Sequence, residues 1–414
     1  MLLLLTSGLL VSASGNVLLA ERQETTSLAV PPESQGLHRL MVNAGKLYFG
    51  TAIETNNFDD VPYRAIADNP DEFGMYVPEN SQKWEAIQPR QGAFAFTAAD
   101  SIARLARTNG MLFRCHTLTW HSQLPPFVQN GTWTRATLTA VLTTHITSVV
   151  THYKSLCYAW DVVNEALAEN GTLRDSVFSQ ILGPSFLPLS FTAASAADPS
   201  AKLYYNDFNL ETTPAKAAGA IRIVQQVQAA GAPIHGIGFQ AHFRVGQTPN
   251  RTALVALQNR FVALGLDTSF TELDVAHLAL PANATALARQ AADYVGVVQA
   301  CLDVPRCVGI IVWQFTDKYS WIPSTFPGLG DACLYDKDYK KKPAYTAVAS
   351  VLAAAATGTP AATGGPAATG GPARPPVRSA GSRVMGLTGG AAGVDMLLGL
   401  LWPVVVAGSF CVVI

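Results

Sequence analysis

Charge of either sign is what this sequence has little of: charged residues make up 14% of the chain, and 28 Lys and Arg stand against 29 Asp and Glu, for a net charge of −1. Without a basic field the chain offers no footprint for nucleic acid, whose binding rests on neutralising phosphates. A neutral polymer requires no such field. Cysteine is also sparse, six in 414 residues, which excludes a disulfide-built scaffold, and none has the Cys-x-x-Cys spacing of a zinc site. Cys301 and Cys307 are spaced to close a short loop and are the expected disulfide. Cys115, Cys157 and Cys333 stay unassigned, and Cys411 falls in an apolar tail. No metal and no organic cofactor is implied.

The two ends lack basic residues. Residues 1–20 contain none, yet they open apolar and reach small residues at Ser12-Ala13-Ser14 and Ala20, the pattern of a secretory signal peptide. The run 396–414 is almost entirely apolar and no Lys or Arg follows it, whereas a stop-transfer helix carries them on its cytoplasmic side. Small residues at 379–382 and 389–393 precede it, so 383–414 reads as a glycosylphosphatidylinositol attachment signal, with a membrane-spanning end or an unanchored hydrophobic end as the alternatives. Between fold and tail, 357–382 is a Pro/Gly/Ala/Thr tract in which Ala361-Ala362-Thr363-Gly364-Gly365-Pro366 repeats as 367–372. It has no large apolar side chains to bury and reads as an extended tether. Asn-x-Thr sequons at Asn130, Asn170, Asn250 and Asn283 fit glycosylated surface loops. The expectation is a secreted monomer held at the cell surface by a lipid anchor.

The remainder, 38–356, reads as a single domain. Short runs rich in aromatic and β-branched residues fall at 46–53, 74–80, 111–118, 157–165, 202–208, 235–242, 268–275 and 308–317. Between them lie stretches of helical periodicity, including 96–109, 134–153, 214–230, 252–265 and 285–302. Alternation of this kind implies βα units and a parallel sheet, and eight of them is the count of a (β/α)8 TIM barrel. A doubly wound sheet is the other fold with this alternation.

Barrel chemistry takes place at the C-terminal ends of the strands. The polar residues that close these runs are Glu79-Asn80, His116, Asn164-Glu165, Asn206-Asp207, Gln240 with His242, Glu272 with Asp274, and Trp313 with Asp317. Two glutamates on separate strands are what cleavage of a glycosidic bond requires, one to protonate the leaving oxygen and one to attack the anomeric carbon. Glu272 and Asp274 lie two apart on a strand and share a face. A histidine between them, His242, can donate to both.

Seven motifs in order resemble glycoside hydrolase family 10, the endo-1,4-β-xylanases: Glu79-Asn80-Ser81-Gln82-Lys83-Trp84, His116-Thr117-Leu118-Thr119-Trp120-His121-Ser122-Gln123-Leu124-Pro125, Trp160-Asp161-Val162-Val163-Asn164-Glu165, Leu203-Tyr204-Tyr205-Asn206-Asp207, Gly236-Ile237-Gly238-Phe239-Gln240-Ala241-His242, Thr271-Glu272-Leu273-Asp274 and Lys342-Pro343-Ala344-Tyr345. The resemblance implies hydrolysis of internal xylan bonds with retention of configuration. In that scheme Glu165 is the acid/base, its pKa raised to hold a proton, and Glu272 is the ionised nucleophile. His242, Asp274, Asn164, Gln240 and Asn206 support them, with Asn164 bonding the sugar 2-hydroxyl. Glu79, Asn80, Lys83, His116, Gln123, Trp120, Trp313 and Trp321 line sugar subsites, and Trp84 is packing. Three residues depart from the family: Cys115 and Gln314 each stand where glycine is usual, and Cys333 replaces a more usual apolar residue. The competing readings are a transglycosylase or a hydrolase of another β-1,4-glucan, and a carbohydrate-binding surface protein without turnover.

Overall fold

The computed structural model describes residues 31–358. The segments expected to be signal, tether and attachment site lie outside these residues, apart from Thr357 and Gly358, as does Cys411. Nine strands form one sheet: β1 (Tyr48–Ile53), β2 (Met75–Pro78), β3 (Leu112–Trp120), β4 (Ala159–Asn164), β5 (Lys202–Asp207), β6 (Gly236–Phe239), β7 (His242–Arg244), β8 (Asp267–Ala276) and β9 (Cys307–Val312). Neighbouring strands pair in parallel in the order β6-β5-β4-β3-β2-β1-β9-β8, and β6 pairs with β8 to close the ring. The result is the expected eight-stranded barrel. The ninth strand, β7, is a three-residue piece that pairs only with the far end of β8, His242 opposite Asp274.

The run expected at 235–242 is therefore split. Ala241 adopts a left-handed φ of 59°, and its N–H donates to the half-buried Glu211 carboxylate at 2.8 Å, which turns the chain and re-aims His242 along β8. The run expected at 308–317 also stops early, at Val312, because Trp313 to Asp317 leave the sheet through Gln314 at φ 70°.

Helix starts carry legible caps. Thr134 and Thr137 exchange side-chain and backbone bonds in a capping box that begins Arg135–His152. Asn250 and Asn283 cap Arg251–Val262 and Ala284–Asp303 through their side-chain oxygens. All four sequon asparagines are exposed. The main apolar core fills the layer between strands and helices, and a smaller cluster of Tyr48, Ala52, Met75, Val77, Ile311 and Trp313 packs together beside it. Arg114 is fully buried on β3, paired with Asp161 of β4 at 2.5 Å and lying over the Tyr204 ring. Cys301 and Cys307 form the expected disulfide, Cys115 and Cys157 form a second, and Cys333 is free and buried.

Candidate active site

Glu165 follows the last residue of β4, and Glu272 lies within β8. Glu165 holds a φ of 55°, unusual for a side chain of this size, and its backbone is fixed on both sides. Its N–H donates to the Asn206 carbonyl at 2.9 Å, and its own carbonyl accepts from Arg174 at 3.1 Å. Backbone strain stabilised by its surroundings in this way is typical of a residue held for chemistry.

The two carboxylates are joined through amides. Asn206 Nδ2 donates to Glu272 Oε1 at 2.7 Å and to Asn164 Oδ1 at 2.9 Å. Gln240 Nε2 reaches Asn164 Oδ1 at 3.3 Å and Glu165 Oε1 at 3.1 Å, and Asn164 Nδ2 lies 3.3 Å from the same Glu165 oxygen. The parallel register sets this up, since Asn164 of β4 stands beside Asn206 of β5. Thr271 donates to Asn206 Oδ1 at 2.6 Å and so fixes which end of that amide faces Glu272.

On its other side Glu272 meets His242. Nε2 of the imidazole lies 3.2 Å from Glu272 Oε2, and Nδ1 lies 2.9 Å from Asp274 Oδ2, an oxygen that also accepts from the Trp321 indole at 2.8 Å. Burial disfavours the imidazolium, but the two carboxylates outweigh it and push the His242 pKa up to about 10. The histidine is therefore a cation at neutral pH that donates to both acids and keeps Glu272 paired.

The expectation of a raised pKa at Glu165 is corrected. Burial does push this carboxyl up, but the charge of His121, donors on Trp120 and Gln240, and Arg174 together hold it below its ordinary value. His121, 4.0 Å from Glu165 Oε2, is itself lowered to about 4 by burial, so its share of that effect disappears at neutral pH.

A second group collects around Glu79 and Lys83. Lys83 Nζ donates to Asn80 Oδ1 at 2.8 Å and lies 5.0 Å from the Trp120 ring centre. Glu79 accepts from Gln314 at 3.1 Å, and His116 is held by Asp161 at 3.0 Å with its ring edge-on to Trp313. Gln123 is not joined to these residues; its amide donates to Glu85 at 3.2 Å. Trp84 packs on His145 with ring centres 3.7 Å apart, as expected of a core residue. A cavity of about 310 Å³ opens on the His121 side, with Trp133, Asp175, Gln129 and Gln180 in its wall.

Sequence reasoning missed three supports. Glu54, after β1, accepts the backbone N–H groups of Asn80 and Ser81 at 2.8 and 2.9 Å and so shapes the Glu79–Asn80 turn. Arg114 and Asp161 orient His116, and Asp161 stood unread inside the Trp160–Glu165 motif. Gln314 read only as a departure from glycine, although its side chain bonds Glu79. The signal for the first two was a charged residue within or just beyond an apolar run.

Residues 36–351 match glycosyl hydrolase family 10. The chain is 53% identical over 354 residues to endo-1,4-beta-xylanase 5 of Pyricularia oryzae, covering 86% of this chain and 87% of that protein. It is 53% identical over 327 residues to endo-1,4-beta-xylanase 1 of Humicola insolens, covering 79% and 76%. Among solved structures, the Penicillium canescens endo-1,4-beta-xylanase XylE superimposes with a TM-score of 0.75 at 37% identity, over 79% of this chain and 99% of that one. With the barrel closed and Glu165 after β4 linked by amides to Glu272 on β8, the chain belongs to glycosyl hydrolase family 10.

Proposed function

We propose that the protein is an endo-1,4-β-xylanase that cleaves internal xylan bonds by double displacement with retention of configuration. The observation that carries this reading is Glu272 held between the Asn206 amide and the His242 imidazolium, and joined to Glu165 through the Asn206 and Asn164 amides. In the first step Glu272 attacks the anomeric carbon while Glu165 gives its proton to the departing glycosidic oxygen, leaving a glycosyl ester on Glu272. In the second, Glu165 takes a proton from water as that water attacks the same carbon, and Glu272 leaves as carboxylate. Polysaccharide in the cleft excludes water from Glu165, strengthening the influence that raises its pKa, so that it holds its proton when needed. Asn164 bonds the 2-hydroxyl, and Glu79, Asn80, Lys83, His116 and the three tryptophans hold sugars along the cleft. Glu272→Gln abolishes release of reducing ends from xylan and keeps xylan binding; unchanged turnover in that variant would overturn the nucleophile assignment.

Cellular placement belongs to the same proposal. The apolar opening of the chain, four exposed sequons and the apolar 396–414 run support a secreted, glycosylated enzyme carried on a lipid anchor. Mass spectrometry of the mature C-terminus tests it: a glycolipid on a small residue upstream of the apolar run supports the anchor, and an intact 396–414 segment refutes it.

A further inference from the structure

Gln314 is fully buried and stands at φ 70°, a left-handed conformation that glycine enters freely and that a glutamine adopts at a cost. Its side chain is satisfied at both ends. The Tyr63 hydroxyl donates to Gln314 Oε1 at 3.2 Å, and Gln314 Nε2 donates to Glu79 Oε2 at 3.1 Å. A primary amide has one accepting and one donating end. A phenol can donate or accept whereas a carboxylate only accepts, so the carboxylate turns the NH2 toward Glu79, and the Tyr63 hydroxyl, donating to the oxygen, holds the amide in that orientation.

We infer that Gln314, oriented by Tyr63, is a positioning residue that holds the Glu79 carboxyl as an acceptor for hydroxyls of a sugar remote from the cleaved bond, and so tunes how strongly the enzyme prefers long chains. The inference rests on the xylanase reading above. The charges facing Glu79 are Lys83 on its own loop, Glu54 beyond β1 and Glu272 on β8. Burial favours a neutral Glu79, with both other glutamates adding to that; the Gln314 amide and Lys83 offset this only in part, so the carboxyl stays above its ordinary value and each offset counts. Gln314 is the contributor that can be removed without touching a charge.

The test compares xylotetraose, which spans several subsites, with p-nitrophenyl β-xyloside, which needs only the sugar next to the carboxylates. Gln314→Met keeps the stem and its volume and removes the amide. It should lower kcat/KM for xylotetraose about tenfold more than for the xyloside, the size expected for losing one hydrogen bond to a charged group. The deficit should shrink as pH rises, because Glu79 then ionises without help. Tyr63→Phe should give a smaller loss of the same kind, and the double variant should be no worse than Gln314→Met alone, since both act through one amide. Equal losses on the two substrates, a deficit independent of pH, or additive effects in the double variant would each overturn the role of Gln314. A parent enzyme inactive on xylan would overturn the xylanase reading and this inference with it.

Discussion

Gly238 of β6 and Asn206 of β5 meet so closely that a β-carbon on the glycine would stand 2.1 Å from the asparagine Oδ1. The glycine is the space in which the Asn206 amide lies while it donates to Glu272. Gly238→Ala should therefore displace that amide and lower kcat about 100-fold, as expected for loss of a preorganised donor at a reacting group. Steady-state kinetics on xylan, with circular dichroism confirming the fold, check this; activity within twofold of the parent would show that Asn206 does not depend on the gap.

The His242 imidazolium makes stability depend on alkaline pH. Its pKa rises from an ordinary value of about 6.5 when unfolded to about 10 when folded. The contribution is therefore fully present below about pH 6.5 and is lost as pH rises through about 10. Melting temperatures across that window should fall for the native enzyme, and in His242→Gln this part of the slope should vanish.

Arg114 and Asp161 are buried at 0% and 2% side-chain exposure. Removing one partner strands the other charge, so Arg114→Met should destabilise the fold by about 3–5 kcal/mol in denaturant unfolding. Arg114→Met with Asp161→Leu should cost less than the single change, and a double variant at least as unstable as the single one would contradict the pairing argument.

The disulfides differ in the chain they close. Cys115–Cys157 spans a separation of 42 residues and Cys301–Cys307 one of 6. In the chain-entropy account the longer loop contributes about 4 kcal/mol and the shorter about 2 kcal/mol. Replacing the first pair with alanines should lower Tm more than replacing the second, and differential scanning calorimetry distinguishes them.

What could be read from the residues followed from how local the cause was. The eight strand runs were legible because each is a short segment rich in aromatic and β-branched residues, and Glu165, Glu272 and His242 lie at or near the ends of three of them. The break at Ala241 was not, since Gly236 to His242 reads as one strand and the turn depends on the distant Glu211. The helix Phe186–Ala197 was hidden by Gly183, Pro184 and Pro188, which punctuate the sequence like a loop. Yet Pro188 falls in the first turn, where no intrahelical N–H is needed. Cys115 and Cys157 could be paired only once β3 and β4 were known to be neighbours. Glu54 was missed because its partners are backbone N–H groups across a loop, which leave no pattern in the sequence.

The side strand β7 is a handle fixed to the barrel rather than one of its staves, because β6 and β8 meet behind it. The wall is complete without the segment that carries the imidazole. Loop lengths around Arg244 and Asn250 can therefore be grafted or shortened by a protein engineer without unsealing the cylinder, provided His242 keeps its place opposite Asp274.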